Sequence, residues 1–132
     1  MIAVDTNIIV RLLTNDDVSQ ARRAAEIIRN NEVFVTKTVL LETEWVLRYA
    51  YRIDRNTLAD SVKRFLSLSN VHAEDPGSVT KAISWHESGL DFADALHLAS
   101  ANRAEKFVTF DRDMVKKSKE ITDRYIPEVV EA

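Results

Sequence analysis

The sequence predicts a single α/β domain built around a mainly parallel sheet. Short β-branched runs alternate with longer stretches of helical periodicity, and strands separated by helices of this length pair in parallel. Only two glycines and two prolines interrupt the 132 residues, which disfavours long linkers and many-turned β-sandwiches. Because domains most often contain about 100–150 residues, we expect one domain over residues 1–132.

The predicted strands are short runs in which β-branched residues concentrate. They lie at Ile2–Asp5, Val33–Thr36, Val71–Ala73 and Phe107–Thr109, with a weaker run near Tyr125–Ile126. Apolar residues at helical spacing fill the intervals between the strands. One predicted helix begins at Asp16 or Asp17, has apolar positions from Val18 to Ile28 and ends near Asn30–Asn31; the next ones cover Thr38–Tyr51, Asn56–Leu68 and Pro76–His86, and a last one runs from a cap at Asp91 to about Ala104.

The composition excludes several kinds of site. The chain has no cysteine, which rules out a disulfide framework, a thiolate zinc site and a cysteine nucleophile, and which fits a reducing compartment. The net charge of −3 argues against a broad basic surface, although a cluster of cation-binding acids would leave the remaining surface close to neutral. The first apolar patch has no basic flank and is interrupted by aspartates. We therefore expect neither export nor membrane insertion, and a cytoplasmic location.

Four acidic residues are candidates for a common site. Asp5 closes the first strand, Asp111 follows the strand at Phe107–Thr109, and Asp94 lies in the first turn of a helix; the fourth, Glu42, lies on the helix after the second strand. In an open parallel sheet, the loops at the carboxyl ends of the strands form the crevice in which ligands bind. The sequence therefore predicts that these four carboxylates converge.

Glu42 and Glu44 are expected to have different roles, because residues two apart on a helix point to nearly opposite faces. Glu44 has Arg48 four residues later, which predicts a surface ion pair worth about 0.2–0.5 kcal/mol. Glu42 has apolar or neutral neighbours three and four residues away. Its carboxylate therefore needs a partner from another element.

Helix capping is the structural alternative for the other acids. Asp5 and Asp111 can each cap a helix that begins directly after them. Asp91 is a good N-cap residue and would place Asp94 at the third helical position, where the helix dipole favours an acid. Each of these residues taken singly is explained as well by capping as by catalysis, so only the convergence of all four acids would indicate a common site.

Electrostatic repulsion indicates what would accompany such a cluster. Two unit charges ~4 Å apart repel by about 4 kcal/mol at an effective dielectric near 20. Several such pairs would rival the roughly 5–15 kcal/mol of net stability of a small domain. Oxygen ligands without cysteine suit Mg²⁺ or Mn²⁺, and such ions support phosphodiester hydrolysis.

Four sequence segments together carry a family resemblance: DTNIIVRLLTNDD, LLETEWVLR, GLDFADALHLASA and FVTFDRD. With these segments in this order, the chain resembles the PIN-domain ribonucleases, and among them the VapC toxins. The resemblance implies a three-layer α/β/α sandwich with a central, mainly parallel sheet, and a Mg²⁺ or Mn²⁺ site. By motif, it assigns the metal-binding and catalytic role to Asp5, Glu42, Asp94 and Asp111, and supporting positions to Thr6, Asn7, Asp91, Thr109 and, with a surface position as the preferred interpretation, Asp113.

The resemblance also implies partners. VapC-like proteins cut RNA such as tRNA or rRNA, are usually homodimers, and are silenced by a cognate antitoxin protein. We therefore expect a metal-dependent endoribonuclease that is the toxin of a toxin–antitoxin pair. Two alternatives stay open: a Mg²⁺-binding, receiver-like phosphoryl-transfer protein, and a binding module without catalysis in which the acids only cap helices.

The remaining candidates have ordinary interpretations that are favoured over functional ones. Lys37, Arg11, Arg112, Lys116 and Lys117 are possible phosphate contacts, but solvated charges are the commoner case. His97 lies three residues after Asp94 and can reach the rim of the site, whereas the three histidines together lack zinc-ligand spacing. Core or dimer packing is expected for Trp45, Tyr49, Trp85 and Phe92 rather than base stacking, and Arg48, Tyr51 and Arg52 are candidates for lining a partner groove.

Overall fold

The computed structural model describes residues 1–121 and 126–132. It contains two compact units, Met1–Pro76 and Gly77–Ala132. Helices alternate with strands along the chain, and every strand pairing in the described residues is parallel, which confirms the predicted α/β class. In the same residues, no helix combines the length and the apolar character needed to cross a membrane.

The first unit is a three-stranded parallel sheet with four helices. Its elements are β1 (Ile2–Ala3), α1 (Thr6–Thr14), α2 (Val18–Arg29), β2 (Val33–Val35), α3 (Lys37–Tyr49), α4 (Arg55–Leu66) and β3 (Val71–Ala73). The strand order is β1-β2-β3, with Ile2 beside Val33 and Val33 beside Val71. Because the strands are parallel, α1 and α3 both begin at the same edge of this sheet.

Burial in the first unit follows the expected periodicities. Val33 and Val35 of the central strand are fully buried, because side chains two apart in a strand share a face. Helix α1 packs against α2 and α3, and α4 packs against α3 and β3. These contacts hold the start of α1 beside the middle of α3, which is the arrangement on which the candidate site depends.

In its described residues, the second unit pairs two parallel strands with three helices. Its elements are α5 (Pro76–Glu87), α6 (Phe92–Ser100), β4 (Lys106–Thr109), α7 (Arg112–Ser118) and β5 (Glu128–Glu131). Lys106 of β4 lies beside Glu128 of β5, and α7 packs against both strands. Gly89 has a φ of 125° in the turn between α5 and α6, a backbone conformation that only glycine adopts readily.

Several predicted boundaries differ from the structure. The first strand ends at Ala3 and not at Asp5, because Asp5 serves as the cap of α1. The helix predicted to reach Ala104 ends at Ser100. The prediction of a strand near Tyr125–Ile126 is wrong for Ile126, because β5 begins at Glu128. Tyr125 lies outside the described residues.

Two aromatic residues for which core or dimer packing is expected are exposed. Trp45 is 56% and Tyr49 58% exposed, so the core alternative is wrong for both, while dimer packing stays a prediction. Val18, an apolar position of the predicted helical pattern, is 62% exposed. The inward stripe of α3 consists of Leu40, Thr43, Glu44 and Leu47, which are three and four residues apart, and this spacing leaves both aromatic residues of α3 outside the stripe. The core prediction is confirmed for Trp85 and Phe92, which are buried.

Candidate functional site

Asp5 lies directly after β1 and caps α1. Its Oδ1 accepts a hydrogen bond from the backbone N–H of Thr6 at 2.8 Å, so the capping interpretation is confirmed. Its Oδ2 accepts no hydrogen bond from the described residues. A carboxylate offers about four lone-pair positions, and capping therefore leaves Asp5 able to bind a cation.

Asp5 and Glu42 line one open pocket of about 390 Å³ in the first unit. Thr6 and Asn7 of α1 lie on the same wall as Asp5, and the exposed carboxylate of Glu42 comes from α3. The rest of the lining consists of Val10, Arg11, Val46, Ala50 and Tyr51. Two of the four predicted acids, distant in sequence, thus face the same space.

The hydroxyl of Thr6 is an unusual feature of this pocket. Thr6 is 5% exposed, and its Oγ1 is buried without a hydrogen-bond partner among the described residues. Leaving a buried hydroxyl unpaired costs about 1–3 kcal/mol, and such groups occur where an ion, a water or a ligand completes the contact. The two carboxylates that line the same pocket suit a hard divalent cation and its water shell.

Glu44 differs from the sequence-based expectation. Its ion pair with Arg48 is present, with Arg48 Nε 2.9 Å from Glu44 Oε2, but the Glu44 side chain is only 3% exposed. The prediction of a surface pair is therefore wrong for the carboxylate, which lies on the inward stripe of α3. Glu42 lies on the exposed side of the helix, so the two glutamates do face opposite ways.

Asp94 lies in the second unit, in the first turn of α6. The side chain of Asp91 caps this helix, and its Oδ1 accepts a hydrogen bond from the Asp94 N–H at 3.2 Å. Burial raises the pKa of Asp94, and repulsion from Asp91 and Asp111 raises it further, while His97 and Lys117 partly offset the shift. The carboxylates of Asp94 and Asp111 are therefore close enough to repel each other.

Asp111 caps α7 and is held by the end of β4. Its Oδ1 accepts hydrogen bonds from the N–H groups of Asp113 at 3.0 Å and Met114 at 3.1 Å. Its own N–H donates to Thr109 Oγ1 at 3.0 Å, so Thr109 positions Asp111. Asp113 is exposed and pairs with Lys117 at 2.9 Å, which favours its interpretation as a surface acid.

We expect Asp94→Asn to stabilise the metal-free protein at neutral pH. Because the pKa of Asp94 is higher in the folded protein than its usual value, the protonated carboxyl group favours folding. The stability that it contributes is complete in acid and is lost as the pH rises above about 4 and through the raised pKa. Asparagine has no proton to lose, so the variant does not show this loss. Urea unfolding in EDTA should give equal stabilities near pH 3 and a more stable variant near pH 7; a variant that is less stable at pH 7 would contradict the assignment.

Each unit contributes two of the four predicted acids. Within the described residues, no group of three or more His, Asp or Glu side chains is arranged to hold a metal ion. That all four carboxylates share one crevice stays a prediction.

Most of the candidate phosphate-binding cations have carboxylate partners. The pairs are Lys37 with Asp75 at 2.9 Å, Arg11 with Asp16 at 3.1 Å, Arg112 with Glu131 at 2.8 Å and Lys117 with Asp113 at 2.9 Å. Of the histidines, His72 pairs with Glu32 at 3.0 Å and buried His86 contacts the carbonyl of Leu90 through Nδ1. His97 is exposed, and its charge acts on Asp94.

A smaller cleft beside the carboxylate pocket includes residues that the sequence analysis did not single out. Gln20 and Arg23 of α2 line it together with Asn7 and Arg11 of α1. Gln20 and Arg23 are three residues apart, so they share one face of the helix. That spacing is the signal available in the sequence, but it is common on any solvated helix.

Comparison with known proteins identifies the family. A family model described as the PIN domain matches residues 2–120 and so extends over both units. A comparison with curated proteins finds no match. PIN domains are a nuclease-type fold, typically of metal-dependent ribonucleases. Because the model matches most of its length, this chain belongs to the PIN domain family.

Proposed function

We propose that this protein is a metal-dependent endoribonuclease that hydrolyses RNA phosphodiester bonds. The observation that carries the proposal is the pocket of the first unit, where Asp5 and Glu42 face the same space beside the unpartnered hydroxyl of Thr6. A pocket with two carboxylates is suited to a cation, and the chain belongs to a family of nucleases. Membership of this family favours the nuclease over a receiver-like protein and over a binding module.

In the proposed site, Asp5, Glu42, Asp94 and Asp111 hold one or two Mg²⁺ or Mn²⁺ ions. A bound cation supplies activation of a water and stabilisation of the departing 3′ oxygen. The protein side chains would bind the cation and orient one another. The capping hydrogen bonds of Asp5 and Asp111 fix each carboxylate at the start of a helix and leave one oxygen of each free for the cation. Thr109 and Asp91 act through the backbone bonds that place Asp111 and Asp94, and Asn7 lies beside Asp5.

Repulsion within the second unit supports the need for a cation. Asp91 and Asp111 both raise the pKa of Asp94, while His97 and Lys117 offset only part of the shift. Asp94 and Asp111 would help to hold a divalent cation, whose charge would offset this repulsion. Binding would therefore also stabilise the folded protein.

We further propose that the nuclease is a VapC-type toxin of the cytoplasm. Support comes from the four sequence segments that resemble VapC toxins. On this proposal the substrate is an RNA such as tRNA or rRNA, a cognate antitoxin protein silences the enzyme, and the active form is a homodimer. Induced expression is then expected to arrest growth, and co-expression of the neighbouring reading frame is expected to restore it.

Metal titration tests the nuclease proposal directly. Protein freed of metal with EDTA and dialysed is expected to give saturable heat with Mn²⁺ in a calorimeter, and to cut RNA only after Mg²⁺ or Mn²⁺ is added. Asp94→Asn, purified in parallel, controls for contaminating nuclease. Absence of saturable heat together with RNA cleavage that EDTA does not inhibit would overturn the proposal.

A further inference from the structure

A small cleft lies between α1 and α2, next to the carboxylate pocket. Its volume is about 190 Å³, and its lining consists of Asn7, Ile8, Arg11, Gln20, Arg23 and Ala24. Asn7 and Arg11 also line the pocket that contains Asp5 and Glu42. The two spaces therefore share a wall within the first unit, and a molecule long enough to occupy both must pass these two residues.

Arg11 is fixed in this shared wall by hydrogen bonds on several sides. Its Nε donates to Gln20 Oε1 at 2.6 Å, and its Nη1 donates to Asp16 Oδ1 at 3.1 Å and to the Tyr51 hydroxyl at 2.8 Å. The Tyr51 hydroxyl in turn donates to Asp16 Oδ2 at 2.8 Å. The Nη2 group of Arg11 makes no hydrogen bond with the described residues, so it keeps its donors for a ligand.

Arg23 provides the uncompensated charge of the cleft. Its guanidinium makes no ion pair or hydrogen bond with the described part of the chain, whereas Arg11 is neutralised by Asp16. Guanidinium groups present planar N–H donors that match the oxygens of a phosphate. The amides of Asn7 and Gln20 add neutral polar groups to the same lining.

The size of the cleft indicates a small anionic group. Pockets for drug-sized ligands measure about 300–1,000 Å³, so about 190 Å³ is too small for that class but adequate for a phosphate. In a nucleic acid strand the neighbouring phosphate is covalently tied to the one being cut. A strand with its scissile phosphate in the carboxylate pocket would carry the neighbouring phosphate past Asn7 and Arg11.

We propose that this cleft binds an RNA backbone phosphate adjacent to the scissile one, with Arg23 as its main cationic contact. The proposal rests on the nuclease function proposed above, because it takes the carboxylate pocket as the position of the cut. It assigns to Arg23 a binding role that does not involve the reacting atoms. The strand is held by its backbone here, so this contact is independent of base sequence.

The test compares Arg23→Gln with Arg22→Gln. Arg22 is also exposed and also lacks an ion pair among the described residues, but it lines neither space, so both variants lose the same charge from the same helix. Binding of a labelled single-stranded oligoribonucleotide is measured in EDTA by fluorescence anisotropy at several salt concentrations. We expect Arg23→Gln to weaken binding about tenfold, as the loss of a charged hydrogen bond implies, and to reduce the salt slope by about 0.7.

Steady-state cleavage provides a second, independent measurement. With Mn²⁺ present, Arg23→Gln is expected to raise KM with little change in kcat, because it removes binding that the ground state and the transition state share. Arg22→Gln should match the unmodified protein in both assays, and urea unfolding should confirm that both variants are folded.

Each outcome decides for or against the Arg23 subsite separately from the nuclease. If binding depends on Arg23 but the protein cuts no RNA, the subsite is supported and the nuclease proposal is contradicted. If Arg23→Gln cuts and binds RNA like the unmodified protein, or if Arg22→Gln shows the same change, the subsite is contradicted and the nuclease proposal stands. Failure of the unmodified protein to bind the oligonucleotide, or tighter Arg23-dependent binding of an oligoglutamate peptide, would overturn the inference.

Discussion

Replacing Glu42 by glutamine is expected to reduce RNA cleavage by at least about a hundredfold while leaving the folded protein intact. Glu42 is an exposed carboxylate in the pocket that also contains Asp5, and removing one preorganised electrostatic group from an active site typically costs about 10²–10³ in rate. Because its side chain faces solvent, the free energy of unfolding should change by no more than about 0.5 kcal/mol. Cleavage is measured at saturating Mn²⁺, so that a weakened affinity for metal is separated from a lost catalytic contact.

Glu26→Gln is the matched control for this experiment. Glu26 is an exposed helical glutamate that lines neither the carboxylate pocket nor the smaller cleft. Its replacement removes the same charge and should leave cleavage unchanged. If Glu42→Gln cleaves RNA as fast as the unmodified protein, Glu42 does not belong to the site. If Glu42→Gln and Glu26→Gln lose the same fraction of cleavage activity, the loss is a general effect of net charge.

Glu42 and Glu44 illustrate what helical periodicity could predict and what it could not. Their separation on opposite faces followed from a spacing of two residues, and it is confirmed. Which face is inward depends on how α3 packs against α1 and α4, and no local pattern contains that information. The ion pair between Glu44 and Arg48 was predictable from sequence, but its burial was not.

The capping residues illustrate a second limit. The sequence predicted helix caps at Asp5, Asp91 and Asp111, and all three are present. Capping does not exclude cation binding, because Asp5 and Asp111 each use only Oδ1 for their caps. Because a carboxylate has two oxygens, the same side chain can do both.

The smaller cleft could not be predicted because it forms between elements. Arg23 looks like any solvated arginine of an amphipathic helix, and it lines a cleft only because α2 packs against α1. The α/β class, by contrast, was predictable because strands and helices have different periodicities. Positions that depend on one element were therefore predicted better than positions that depend on two.

Replacing Arg48 by methionine is expected to cause the largest loss of stability among the changes considered. It removes the guanidinium that lies 2.9 Å from the Glu44 carboxylate, whose side chain is 3% exposed. Breaking a buried ion pair costs about 3–5 kcal/mol; since Arg48 itself is 38% exposed, we expect a loss of about 2–4 kcal/mol in urea unfolding at pH 7. Arg22→Met, at an exposed arginine of α2, is the control and should remain within about 0.5 kcal/mol.

The double variant Glu44→Gln/Arg48→Met tests whether Arg48→Met destabilises the protein through the lost ion pair or through lost packing. If loss of the positive charge beside the buried carboxylate causes the destabilisation, neutralising Glu44 removes most of it, and the double variant should be more stable than Arg48→Met alone at pH 7. If instead the contact of Arg48 with the Tyr49 ring, 4.7 Å from its centroid, causes the loss, the double variant will be no more stable than Arg48→Met. The ion pair would then contribute little to the stability of α3, and its burial would be a consequence of helix packing.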